Sequence, residues 1–262
     1  MNKFFWIFSK AYKKFTTDRC PLLASALVQA TIFSLFPLIL GLISFSLFIL
    51  GSSEVVIEQI MPILKQIFPV GIDEIIRNIS AIKQTSIVIA IIGVLAFLWG
   101  SASIFRAIES TLNVIWKVKR DRPFFKKSLL TIGSAFIAFI LLISSVGLTI
   151  WVNAIGAGGL AKYLLIFNIV FGILLFGLIY LFFPNKKVKF KEAFFGALFT
   201  GPFWELAKFL FSIYITKVVD YSKIFGSFSA IVLLFLWIYY SAYIFLFGAE
   251  ISYVYARRKI LK

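Results

Sequence analysis

Two charges three residues apart, Glu205 and Lys208, stand near the middle of an apolar run at 192–216. A run of that length is enough to cross a bilayer, and residues three apart share one helical face. Ala197, Gly201 and Ser212 extend the same face at four-residue intervals, while the other faces carry Phe, Leu and Ile. Charges at that depth need a partner, a cavity or each other. Lys208 could pair a phosphate through charge-assisted hydrogen bonds, with Glu205 holding the ammonium or meeting an amine. At 1.5 Å per residue Lys208 lies about 4.5 Å beyond Glu205 along the axis, towards the expected outer side. The same spacing also suits a self-neutralising pair that only locks helix packing. Pro202, just before the pair, predicts a kink or local unwinding. The helix is expected to face the centre of the protein.

Other residues add to this ligand-binding set. Gln29 and Ser34 lie in an apolar run near the start of the chain, where Gln29 also suits an interhelical hydrogen bond with no ligand. Glu250 ends the last apolar run and suits a proton or cation site, or a pair with Arg257 or another basic residue. Cys20 is the only cysteine, so no internal disulfide forms, and there is no histidine. The commonest general base and metal ligand is therefore missing. The eleven carboxylates form no dense cluster, and no serine sits in a GxSxG elbow. Catalysis, a metal and a cofactor are all expected to be absent.

These residues need long apolar elements to position them, and the composition supplies them. Hydrophobic residues make up 61% of the chain and charged ones 15%, with a mean hydropathy of +0.99. Soluble domains carry about 25% charged residues. The expected fold is all-α, a polytopic membrane helix bundle forming a single domain over 1–262. Its six transmembrane helices fall at about 22–50, 86–105, 128–152, 163–183, 192–216 and 227–250. The first run is about twice as long as a signal-peptide core, so it reads as a retained span in an unprocessed chain. Small residues at helical spacing in the first two spans allow close helix approach. Trp99 suits either an interface anchor or internal packing. The fourth span is the least polar and is expected to face lipid. Residues 1–20 interleave aromatics with lysines over a length too short to span, which predicts an interfacial amphipathic helix. The outer loop 51–85 carries two apolar stripes broken by Pro62, Pro69 and Gly71, and predicts two short amphipathic helices.

The net charge of +16 follows the topology. Of 27 Lys and Arg residues, 20 fall in the N-terminal tail, 106–127, 186–191 and the C-terminal tail, and 6 fall in the intervening loops. The positive-inside rule then puts both termini in the cytoplasm. Basic residues there attract anionic lipid at about 1 kcal/mol each, so nucleic acid is not needed to explain them. Asp73 and Glu74 fall on the outer side, away from any RNA.

Four stretches resemble a known family. ASALVQATIFSLFPLI (24–39), FLWGSASIFRAIESTLNVIWKVKRDRP (97–123), FFGALFTGPFWELAKFLFSIYI (194–215) and YSKIFGSFSAIVLLFLWIYYSAYIFLFGAEIS (221–252) are similar, in order, to the YihY/BrkB membrane proteins. Gln29 and Phe225 stand where that family commonly has tyrosine, so no role for those two hydroxyls carries over. The resemblance implies a bacterial inner-membrane protein with six spans and cytoplasmic termini. It also implies a connection with lipid handling in the envelope, the ribonuclease label once given to members being regarded as mistaken.

Together these readings favour a protein that handles or translocates phospholipid or another amphiphile. Its expected partners are membrane lipids, above all anionic phospholipid, and a periplasmic protein docking at 51–85, or no partner there if that loop only caps the bundle. Two alternatives remain: an ion-coupled secondary transporter of a small solute, using Glu205 or Glu250, and a scaffold that transports nothing.

Overall fold

The computed structural model describes residues 3–50, 87–119, 129, 133, 161–215 and 229–258. Six helices are formed among them: α1 (Lys3–Thr17), α2 (Cys20–Leu50), α3 (Ile87–Ile115), α4 (Ala161–Phe182), α5 (Phe190–Ile213) and α6 (Ser229–Arg257). No strand occurs among the described residues. α1 covers the expected amphipathic segment, and α2 to α6 cover the stretches read as spans one, two, four, five and six. Span three, but for Leu129 and Gly133, lies outside the described residues, as does the loop 51–85. Within the described residues the one stretch long and apolar enough by itself to cross a membrane is Ile231–Arg257, with a mean hydropathy of 2.1.

α6 is the centre of the described structure. It packs against α1, α2, α3, α4 and α5, while α2 pairs with α3 and α4 with α5. Close approach at α4–α5 and α5–α6 depends on two glycines. A Cβ on Gly201 would lie 2.7 Å from Ile173 Cγ1 and 2.9 Å from the Ile173 backbone nitrogen. On Gly248 it would lie 1.8 Å from Thr200 Oγ1 and 2.7 Å from the Tyr180 hydroxyl. The buried Tyr180 hydroxyl sits in that crossing, donating to the Phe245 carbonyl at 2.6 Å and sharing a hydrogen bond with Thr200 at 2.9 Å.

Local chemistry sets the helix ends. Arg19 takes a left-handed φ of 53°, which separates α1 from α2. Lys117 does the same at 52°, and the Val118 N–H turns back to the Asn113 carbonyl at 2.9 Å to close α3. Glu192 caps the first turn of α5 by accepting the Lys189 N–H at 3.0 Å. α5 continues as a helix through Pro202, as α2 does through Pro37, so the local unwinding expected at Pro202 does not occur.

The outer surface is apolar. Ile91, Leu95 and Trp99 on α3, Ile166, Val170 and Leu174 on α4, and Ile231, Phe235 and Tyr239 on α6 are all exposed. Soluble monomers rarely show contiguous apolar surface on this scale, and lipid is the solvent that suits it. Trp99 is thus an outward-facing residue, and α4 presents the outward face expected of it. α1 is amphipathic as predicted, but its apolar stripe Ile7, Ala11 and Phe15 is buried. Phe15 meets Tyr243 and Phe247, and Phe8 meets Phe199 and Phe247, with ring centroids 5.3 to 6.2 Å apart. The stripe therefore lies against protein, where the sequence reading laid it in the membrane interface.

Candidate functional site

Glu205 and Lys208 do pair. Lys208 Nζ lies 2.7 Å from Glu205 Oε1, an ion pair within one helix between residues three apart. It does not lie at the protein centre. Lys208 is 36% exposed and Glu205 13%, at the flank where the packed face of α5 gives way to exposed Phe203, Leu206, Phe209 and Leu210. The packed face holds Ala193, Ala197, Thr200, Ala207 and Phe211. Helical rotation explains the result, since Glu205 and Lys208 fall to one side of that row.

The other predicted residues have separate surroundings. Gly201 is buried against α4, where Ile173 fills the space a side chain would need, so it serves helix approach and has no surface for a ligand. Ser212 is exposed one turn beyond Lys208. Gln29 is exposed on α2. Ser34 is buried, and its hydroxyl donates to the Ala30 carbonyl of its own helix at 2.5 Å. α2 packs on α3 and α6, so its residues and the Glu205–Lys208 pair occupy different parts of the structure.

Glu250 belongs to a second charged group that the sequence reading did not assemble. It is fully buried, and its carboxylate accepts a hydrogen bond from Lys14 Nζ at 2.9 Å. The partner is thus on α1, not the nearby Arg257. Cys20 Sγ donates to the other Glu250 oxygen at 3.4 Å. Lys14 also pairs with Asp18, donates to the Ile115 carbonyl at 3.0 Å, and lies 4.0 Å from the centre of the Tyr253 ring.

Around that group the four segments expected on one side of the membrane meet. Asn113 Oδ1, at the end of α3, accepts the Asn185 N–H at 2.7 Å. Lys186 Nζ donates to the Trp116 carbonyl at 3.2 Å, and Ser252 on α6 donates to the Glu192 carbonyl at 2.6 Å. Neither Asn113 nor Glu250 has its partner nearby in sequence. Those partners are 72 and 236 residues away, and no local spacing signals them.

A bundle with an apolar outer belt, a flank ion pair and a polar, basic end defines a helical membrane protein. Residues 11–261 match the family described as virulence factor BrkB. The chain belongs to that family, as the four motifs implied. Its relatives include a UPF0761 membrane protein of Prosthecochloris aestuarii, 33% identical over 97% of this chain. A second, of Aeromonas salmonicida, is 31% identical over 91% of the chain, and a third, of Pseudoalteromonas translucida, 32% over 90%. The chain spans 61% of the length of the first relative, and 85% and 81% of the other two. No solved structure matches it.

Proposed function

We propose that the protein is a six-span inner-membrane protein with cytoplasmic termini that handles or translocates phospholipid or another amphiphile, without catalysis. The observation that carries this reading is the position of Lys208. Its side chain is partly exposed at the edge of the packed face of α5, and an ammonium has three donors. With one directed to Glu205, others remain for the phosphate of a headgroup approaching sideways from lipid, while the acyl chains lie along the exposed Phe209, one turn from Glu205. The convergence of the basic segments at one end supports the topology, and anionic phospholipid is the partner that suits that end. Region 51–85, outside the described residues, is the proposed docking place for a periplasmic protein.

The test is native mass spectrometry of the detergent-purified protein beside Lys208→Ala. Retained phospholipid on the wild type, lost from the variant, supports the headgroup site. Equal retention, or none on either, refutes it. One observation favours a second reading, a scaffold that transports nothing: the Glu205–Lys208 pair is complete within its own helix. An ion-coupled carrier fits less well, because Glu205 and Glu250 are each already held by a lysine. Uptake coupled to an ion gradient and abolished by Glu205→Gln would restore it.

A further inference from the structure

At the end of the bundle where the polar segments meet, a cleft of about 350 Å³ is lined by Lys117, Val118, Lys119, Asn185 and Lys186. Its size is within the range of small-ligand sites, about 300 to 1,000 Å³. Among the described residues that line it, three of five are lysines and none is acidic. Glu192, the acid of the adjoining turn, is bound to the Lys189 N–H as a helix cap.

The walls are fixed by the fold. The left-handed turn at Lys117 ends α3 and aims the chain through Val118 and Lys119. Opposite it, the turn between α4 and α5 is tied to α3 twice, by Asn113 to the Asn185 N–H and by Lys186 to the Trp116 carbonyl. Lysines on two segments far apart in sequence are therefore held in one place, not scattered over a mobile surface. The single bond from Lys186 to Trp116 leaves donors on its ammonium. Partial burial, with Arg257 nearby, holds the Lys186 amine below the usual lysine range. Such an amine gains from an anion beside it.

We propose that this cleft binds a phosphate monoester, its oxygens accepting from Lys117, Lys119 and Lys186. The site is separate from Lys208 on α5 and does not rest on the headgroup reading there. Two sources offer the same chemistry: the headgroup of a lipid such as phosphatidic acid in the adjoining leaflet, and a soluble phosphate. Net charge alone would favour any anion anywhere on this face. A built cleft predicts instead that three particular lysines matter and that others of equal charge do not.

The experiment uses the full chain in nanodiscs of phosphatidylcholine doped with phosphatidic acid, with bound lipid counted by native mass spectrometry. Lys117→Gln/Lys119→Gln/Lys186→Gln is compared with Lys10→Gln/Lys13→Gln/Lys187→Gln, which removes the same charge from exposed positions outside the cleft. The cleft variant should lose affinity for phosphatidic acid on the order of a hundredfold, from three charge-assisted hydrogen bonds lost together. The control should stay within about threefold, since long-range attraction is screened. A second arm adds inorganic phosphate. Displacement of the lipid identifies the phosphate alone as the ligand, and persistence identifies the lipid; either supports the cleft. Equal loss in both variants, or no loss in the cleft variant, overturns it. Should the triple variant fail to fold, Lys119→Gln alone should cost about fivefold through its lost bond to the phosphate, and an unchanged affinity would overturn the proposal in the same way.

Discussion

Replacing Lys14 by Met should open the charged end of the bundle, and the structure sets the size of the effect. The ammonium satisfies three acceptors at once: Asp18, Glu250 and the Ile115 carbonyl. It is itself only 12% exposed and its Glu250 partner 0%. Methionine keeps the length of the side chain, puts a thioether where the ammonium met the Tyr253 ring, and leaves two neighbouring carboxylates without their cation. Breaking a buried pair in this way costs about 3–5 kcal/mol, against about 0–1 kcal/mol for an exposed one. Cys20 makes the measurement direct, because it is the only cysteine, is buried and bonds Glu250. Labelling of the native protein by a small maleimide then reports opening of this one group. If labelling follows the opening equilibrium, Lys14→Met should raise its rate roughly a hundred- to a few-thousand-fold. Lys14→Met/Glu250→Met, which removes both charges, should recover part of the loss, with a coupling of about 0.5–3 kcal/mol between the two sites. A labelling rate within about twofold of wild type for Lys14→Met would refute the reasoning, since that is the behaviour of a solvated pair. Additive single and double variants would refute it equally.

Two further expectations concern the crossing of α4, α5 and α6, read by thermal unfolding in detergent. Gly248→Ala should destabilise by about 1–3 kcal/mol or more, because its methyl would meet Thr200 Oγ1 at 1.8 Å; a Tm unchanged from wild type would mean that the helices are not in such contact. Tyr180→Phe removes the donor to the Phe245 carbonyl and should cost about 1–3 kcal/mol, with a neutral result counting against that hydrogen bond.

What the sequence made legible follows from the range of each interaction. Glu205 and Lys208 are three residues apart, so helical geometry alone brings them together, and the pair forms as read. Which way the pair faces is a different matter. It depends on Ile173 lying against Gly201 and on Thr200 meeting Tyr180 and Gly248, contacts between helices that no spacing within 192–216 encodes. The amphipathic stripe of α1 was equally plain, but a stripe records only that something apolar covers it. Here the cover is α6, whose Phe247 and Tyr243 suit that face as well as lipid would. Local unwinding at Pro202 was inferred from the lost backbone donor, yet packing on both neighbours keeps α5 helical through that position. Glu250 was recognised as a group needing a cation, and Arg257, two turns on, was the nearest in sequence. Lys14 takes that place because the turn at Arg19 folds α1 back onto α6.

Counting donors separates the lysines that hold the structure from those able to hold something else. Lys14 has as many acceptors as an ammonium has protons. A ligand could gain its charge only by displacing Glu250 or Asp18, and would then leave a buried carboxylate exposed to the same cost that Lys14→Met incurs. Its role is therefore to fasten α1 to α6. Lys208 and Lys186 differ in kind. Lys208 is partly exposed, with Glu205 beside it, and Lys186 gives one bond to a carbonyl that carries no charge to neutralise it. An incoming phosphate at either place adds hydrogen bonds without dismantling a buried pair. The first place opens on the apolar flank and the second on the basic end. A phosphate-bearing amphiphile is a ligand whose chemistry suits both, and that is why the two sites call for separate variants rather than a single loss-of-charge experiment.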